Sequence, residues 1–253
     1  MKTVYICEDT IIGIFSGIYE AWKTKLDEQR LGIALRGNLE QELFCEYKEV
    51  KSDEKKAVAV GNLIRKHLSH DAYYHFYHAL LSSDKDKADV VLGAMLEARN
   101  IKDSKRIMQH LTHPKVRRVF ELSRKVANEA HFFVELIRFR ELNSGIMFAQ
   151  IEPKSQILTC IGDHFENRFP LENFMIYDKT HNQFLIHEAQ KAWVLVINEE
   201  LDVEQLTKLS YGETMFSELW KSFFEHISIK ERENYRLQRQ NLPIRFRKNM
   251  TEF

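Results

Sequence analysis

The sequence predicts an α+β protein, with a helical N-terminal part carrying short strands and, in the C-terminal half, an antiparallel sheet backed by helices. Three observations predict it. Apolar residues recur at three- and four-residue intervals through most of 54–130. After Ala130 the pattern changes to short extended runs separated by turn residues, and helical spacing returns after residue 213. The change near Ala130 divides the chain into a mostly helical part, residues 1–130, and a sheet-bearing part, residues 131–253, with a basic C-terminal helix and tail. No low-complexity linker separates them, so one continuous domain is an equally open reading.

Each element has a local reason. Residues 3–7 read as a strand, and 11–29 as a helix with Phe15, Ile18, Tyr19, Trp22 and Leu26 at helical spacing. Leu43, Cys45 and Tyr47 alternate with Glu42, Glu46 and Lys48, which predicts a strand over 42–50. Helices follow over 54–68, 71–81, 87–98 and 114–130, the last opening on Pro114, a residue suited to a first helical turn. Residues 133–142 and 146–151 flank Asn143-Ser-Gly145 and read as a hairpin. A helix over 155–169, strands over 174–178, 184–187 and 192–197, and helices over 213–227 and 229–240 complete the prediction, with Pro243 opening an irregular basic tail.

Composition narrows the class. Hydrophobic residues at 44% and charged residues at 29% are those of a core-forming globular protein. No apolar run is long enough to cross a bilayer, and acidic residues interrupt the N-terminus before a signal-like stretch forms, so a cytoplasmic location is expected. Cys7, Cys45 and Cys160 are too far apart for a Cys-x-x-Cys motif and read as buried or free thiols. Lys and Arg number 37, equal to Asp and Glu, which excludes a uniformly basic surface.

The charge is nevertheless uneven. Lys102, Lys105, Arg106, Lys115, Arg117, Arg118, Arg124 and Lys125 outnumber Asp103, Glu121 and Glu129; the tail adds Lys230, Arg232, Arg236, Arg239, Arg245, Arg247 and Lys248; residues 199–218 are acidic apart from Lys208. Such polarity suits a one-sided anionic partner or an intramolecular charge match, while solvated helix faces are the bland alternative.

Candidate chemistry concentrates between Arg138 and Asp178. In a strand, Arg138 and Arg140 would share a face and form a phosphate clamp. In a helix, His164 and Arg168 form one stripe and Phe165 and Phe169 another. If both polar pairs met in one groove, they would make an anion site with a histidine able to transfer protons near neutral pH. The competing reading has the arginines paired with Glu135, Glu141, Asp163 and Glu166, merely tying helix to sheet. Asp71, His75 and His78, at i, i+4 and i+7, have a metal-compatible spacing, but they interleave with Tyr73, Tyr74, Phe76 and Tyr77, as in a packed aromatic helix. A carboxylate nuclease site from Glu135, Glu141, Asp163, Asp178 and Glu188 has no distinctive spacing. No Gly-rich phosphate loop or Gly-x-Ser-x-Gly elbow is present.

The segments Glu129-Ala-His131, Arg138-Phe-Arg-Glu-Leu142, Gly145-Ile-Met-Phe-Ala149, Ile151-Glu-Pro153, His164-Phe-Glu-Asn-Arg168, Ile176-Tyr-Asp178, Leu219-Trp-Lys-Ser-Phe-Phe224, Ile229-Lys-Glu-Arg-Glu-Asn234 and Leu242-Pro-Ile-Arg245 resemble an uncharacterised bacterial domain family described as a probable DNA metabolism or DNA repair protein. The resemblance implies a gene neighbour that is a radical-SAM protein, a frequent fusion to a uracil-DNA-glycosylase-like domain, and DNA as the object of the work. A fused glycosylase-like region is not expected in this chain, and its lack of Cys-x-x-x-Cys-x-x-Cys assigns any radical chemistry to the partner. No cofactor of its own is expected. The resemblance nominates Arg138, Arg140, Arg168, Arg232 and Arg245 for phosphate or nucleic acid, His164, Glu141 and Asp178 for catalysis, and His131 and Asn234 as further candidates.

Three functions follow as expectations: a DNA-associated accessory working with the radical-SAM protein; an enzyme in which His164 is general acid or base, Asp178 or Glu141 orients it and the arginines stabilise a transition state; and a protein–protein scaffold docking through Trp220, Phe223 and Phe224, whose helical spacing otherwise suits a core.

Overall fold

The computed structural model describes residues 1–37, 43–197, 208–227 and 234–250, in two compact units, Met1–Ala127 and Asn128–Phe253. The fold is mixed α and β, as predicted, with a three-stranded parallel sheet in the first unit and a mostly antiparallel five-stranded sheet in the second.

The first unit is built on β1 (Lys2–Cys7), flanked by β2 (Leu31–Leu35) and β3 (Cys45–Glu49), all parallel. Between β1 and β2 runs α1 (Ile11–Lys23), whose first turn is capped by the Thr10 hydroxyl accepting from Gly13 N–H at 2.9 Å. The predicted helix over 11–29 stops early: Thr24 donates its hydroxyl to Ala21 O, and Lys25 turns left-handed at φ 57°, ending the ladder. The strand after it went unpredicted because Leu31-Gly-Ile-Ala-Leu35 is apolar without alternation, as a parallel strand covered on both faces must be. Helices α2 (Glu54–Leu63), α3 (His70–Leu81), α4 (Lys87–Glu97) and the first part of α5 (Pro114–Leu136) complete the unit. Its core holds Ile14, Ile18, Phe76, Leu80, Leu92, Met95 and Ile107.

In the second unit the strands lie in chain order: β4 (Arg140–Glu141), β5 (Met147–Ile151), β6 (Phe174–Asp178), β7 (Gln183–His187) and β8 (Val194–Ile197). β5 and β6 are parallel, joined by the crossover helix α6 (Leu158–Arg168), and the other pairs are antiparallel. The strand predicted over 133–142 is corrected. α5 continues to Leu136 because Val126, Ala130 and Phe133 keep helical spacing and are buried, leaving only two residues for β4. The turn survives, with Gly145 at φ 77° and its N–H on Leu142 O at 2.9 Å. Helices α7 (Tyr211–Ile227), α8 (Tyr235–Asn241) and α9 (Ile244–Arg247) follow. Among the described residues no helix is long and apolar enough to cross a membrane.

Candidate functional site

Strand alternation gives the second sheet two faces. On one, Phe139 joins Phe174 to α6, its ring standing edge-on to Phe165 at 5.3 Å, Phe169 at 5.6 Å and Phe174 at 5.7 Å. On the other, Phe148, Met175, Tyr177 and Phe184 cluster with Leu142. α6 is seated closely at Gly162, where a Cβ would lie 2.5 Å from the Trp193 ring. His164 and Arg168 remain on its exposed side.

The carboxylates beside them are committed to the strand edge. Asp163 accepts the Trp193 indole N–H at 2.8 Å, and Glu166 accepts the Trp193 backbone N–H at 3.0 Å. Elsewhere Glu135 pairs with His131 at 3.2 Å, and Glu141 accepts the Ser210 hydroxyl at 3.4 Å. The four carboxylates expected to neutralise the arginines therefore hold other partners. Arg168 lies 5.6 Å from the Phe169 ring, and neither it nor Arg140 has an ion pair among the described residues.

Arg138 lies outside β4, the strand that holds Arg140. Arg138 follows the C-terminus of α5, donating to Glu135 O at 3.3 Å and Ile137 O at 3.4 Å. Arg140 is in β4 opposite Phe148, and so on the sheet face away from α6. Arg140 and the His164–Arg168 pair thus occupy opposite sides of the sheet.

The nominated carboxylates do not reach His164 either. Asp178 is fully buried and closes the β6–β7 turn, accepting from Thr180 N–H at 3.0 Å, His181 N–H at 3.2 Å and His181 Nδ1 at 2.6 Å. Sequence reading missed His181, although Asp-x-x-His across a turn was its signal. Asn234 caps α8, its side-chain oxygen accepting from Leu237 N–H at 3.0 Å. Arg232 lies outside the described residues, as do the side chains of Phe223 and Phe224.

Glu129 carries more structure than the sequence suggested. Only 5% exposed, it accepts the N–H groups of Lys154 and Ser155, each at 3.0 Å, and its Oε1 lies 3.4 Å from Arg245. Lys248 reaches Glu152 at 2.7 Å, and Phe246 sits 5.6 Å from Phe132 and 5.1 Å from Phe133. Two cations of the basic tail are therefore consumed internally.

The histidine-rich helix is packed. His75 Nδ1 meets Ser123 Oγ at 2.9 Å, and His78 packs on Tyr74 with ring centroids 4.0 Å apart. Burial lowers the His78 pKa to about 4 and depresses that of His75 too. Among the described residues no three His, Cys, Asp or Glu side chains are grouped to hold a metal ion. Burial raises the thiols of Cys7, to about 12, and Cys160, to about 11, the reverse of an activated nucleophile.

Against known proteins, the model of one family, a domain of unknown function (DUF4130), matches residues 85–252. No curated protein matches. A solved structure described as the DHH domain of a member of a ribosomal-protein family is similar over 74% of each chain at 11% identity, with a TM-score of 0.30, a likeness too slight to carry an argument.

Proposed function

The chain belongs to the DUF4130 family of unknown function, and from that premise we propose that it is a nucleic-acid-binding accessory protein in DNA metabolism or repair, working beside a radical-SAM protein. One observation carries the reading: Asp163, Glu166 and Glu141 are engaged by other groups, leaving Arg168 and Arg140 without an intramolecular counter-ion among the described residues. A guanidinium in water with no carboxylate beside it is available to a phosphate oxygen, which it binds with paired donors. Arg168 with His164 on α6 forms the main contact, and Arg140 and Arg138 add phosphate contacts. A uracil-DNA-glycosylase-like protein is a further candidate partner.

Binding of this kind is sequence-independent and salt-sensitive, log K falling by about 0.7 to 0.9 per phosphate for each decade of salt. The test is a titration of the purified chain with labelled single- and double-stranded DNA at two salt concentrations, with and without the radical-SAM protein. Arg168→Ala and Arg138→Ala/Arg140→Ala should each weaken binding and flatten its salt dependence. Salt-independent binding, or none, would sink the proposal. His164→Ala separates binding from catalysis, since loss of turnover at unchanged affinity would favour the enzyme reading.

A second reading, the protein–protein scaffold, gains from α7, where Trp220, whose spacing suits a core, is 46% exposed, beside Phe216 at 64% and Leu219 at 57%. Phe216→Glu/Leu219→Glu should then abolish co-purification with the radical-SAM protein and leave DNA binding intact.

A further inference from the structure

At the C-terminus of α1, in the first unit, Trp22 lies half-buried against the core, and the exposed Arg99 stacks over it with its guanidinium carbon 3.6 Å from the ring centroid. The same guanidinium donates to Trp22 O at 3.2 Å, so ring and backbone together fix its plane. Trp22, Lys23, Lys25 and Arg99 line an open shelf. Lys23 and Lys25 are exposed, and neither has an ion pair among the described residues. Lys25 holds the left-handed turn at φ 57°, where glycine is the ordinary occupant, and its N–H bonds Trp22 O at 3.3 Å. Lys25 thus places a cation beside the stacked pair.

We propose that the Trp22–Arg99 shelf is a stacking site for an unpaired nucleobase, with Lys23 and Lys25 holding the adjoining phosphates, so that its ligand is single-stranded nucleic acid. One face of the guanidinium is covered by indole, and Arg99 as a residue is exposed, lining both the shelf and the neighbouring cleft. A guanidinium is weakly hydrated across its faces, and a base laid on it continues the stack. Stacking of this kind needs a base with a bare face, which a duplex does not offer. The neighbouring cleft is lined by Asp27, Glu28 and Glu97, which repel phosphate, so the strand runs along the lysine side. Glu97 is faced by His110 at 3.2 Å and His113 at 4.0 Å, and Glu28 by His113 at 3.6 Å, which keeps that edge occupied within the protein.

This inference rests on the nucleic-acid reading above, and its test separates the two. The full chain is titrated by fluorescence anisotropy with a labelled oligothymidylate, an abasic oligonucleotide of equal length and a duplex. Wild type should bind the base-bearing strand more tightly than the abasic one. Arg99→Lys keeps the charge and loses the plane, so it should weaken oligothymidylate binding about tenfold, within the range for losing one stacked base. Its binding of abasic strand and duplex should not change. Lys23→Ala/Lys25→Ala should reduce the salt slope for the single strand by about 1.4, from about 0.7 per phosphate. Equal affinity of wild type for base-bearing and abasic strands would overturn the shelf and point to a site for some other polyanion. So would an Arg99→Lys variant that binds oligothymidylate like wild type while Arg168→Ala does not, and then the proposed function stands. Failure of wild type to bind any of the three would remove both. Should Arg99→Lys not fold, the abasic comparison and the lysine pair decide.

Discussion

Two cation-bearing helices of this chain differ in what their cations meet. On α5 in the first unit, Arg118 reaches Asp84 and Asp86, each at 3.1 Å, Lys125 reaches Asp84 at 2.8 Å, and Lys115 pairs with Asp89. On α6 in the second unit, Arg168 has no such partner among the described residues, and Trp193 engages both nearby carboxylates. The difference teaches that a cation is available to an outside anion only when the local carboxylates are engaged elsewhere. The number of cations in a segment does not decide it. Asp84, Asp86 and Asp89, all between α3 and α5 in the chain, convert much of the first basic run into a structural seam.

The comparison can be broken most severely at Glu129, which absorbs Arg245. Glu129→Ala should lose about 3 kcal/mol in urea denaturation, since it strands two backbone N–H groups and leaves Arg245 without its carboxylate. Glu152→Ala, which removes the partly buried carboxylate of the Lys248 pair but strands no backbone N–H, should cost about 1 kcal/mol. Equal effects would mean that the tail is not anchored at Glu129.

A smaller effect sharpens the contrast between α5 and α6. Arg118→Ala should lower stability by about 1 kcal/mol, because Asp84 and Asp86 lose a shared partner, and should leave DNA binding unchanged. Arg168→Ala should do the reverse, leaving the melting temperature unmoved and reducing the salt slope by about 0.9 on duplex. If Arg118→Ala weakens DNA binding as much as Arg168→Ala does, the seam and the interface are not distinct.

Much of the fold was legible because burial periodicity is a local signal. The helices over 54–68, 71–81 and 114–130 follow from apolar spacing, with Pro114 at the last one's first turn, and Gly145 marks its turn. β2 was not legible, since a strand covered on both faces has no alternation to read. Nor was the end of α5, where Phe132-Phe-Val-Glu-Leu136 fits either period and only the burial of Phe133 decides. The site was less legible than the fold. Arg168 and His164 were identified from a four-residue spacing, which is real. That Arg140 faces the other side of the sheet depends on a register set by β5, and that Asp178 serves His181 depends on a turn closing three residues later. The register is tertiary and lies in no window of sequence, whereas the Asp178–His181 pair spans only three residues and is local.

The last prediction concerns the histidine helix, which separates packing from ligation. His78 is neutral in the folded state, its pKa lowered by burial from 6.5 to about 4. The unfolded chain therefore binds more protons than the folded one between these values, and stability rises with pH across that window. The contribution is fully present above pH 6.5 and is lost as pH falls toward 4, with His75 adding in the same direction. The melting temperature of the wild type should accordingly fall over this interval, and His78→Phe, which keeps an aromatic ring on Tyr74, should flatten the fall. A metal-ligand role predicts otherwise. Added zinc would raise the wild-type melting temperature near pH 7 and leave the variant unaffected, whereas a packed helix leaves both indifferent to zinc.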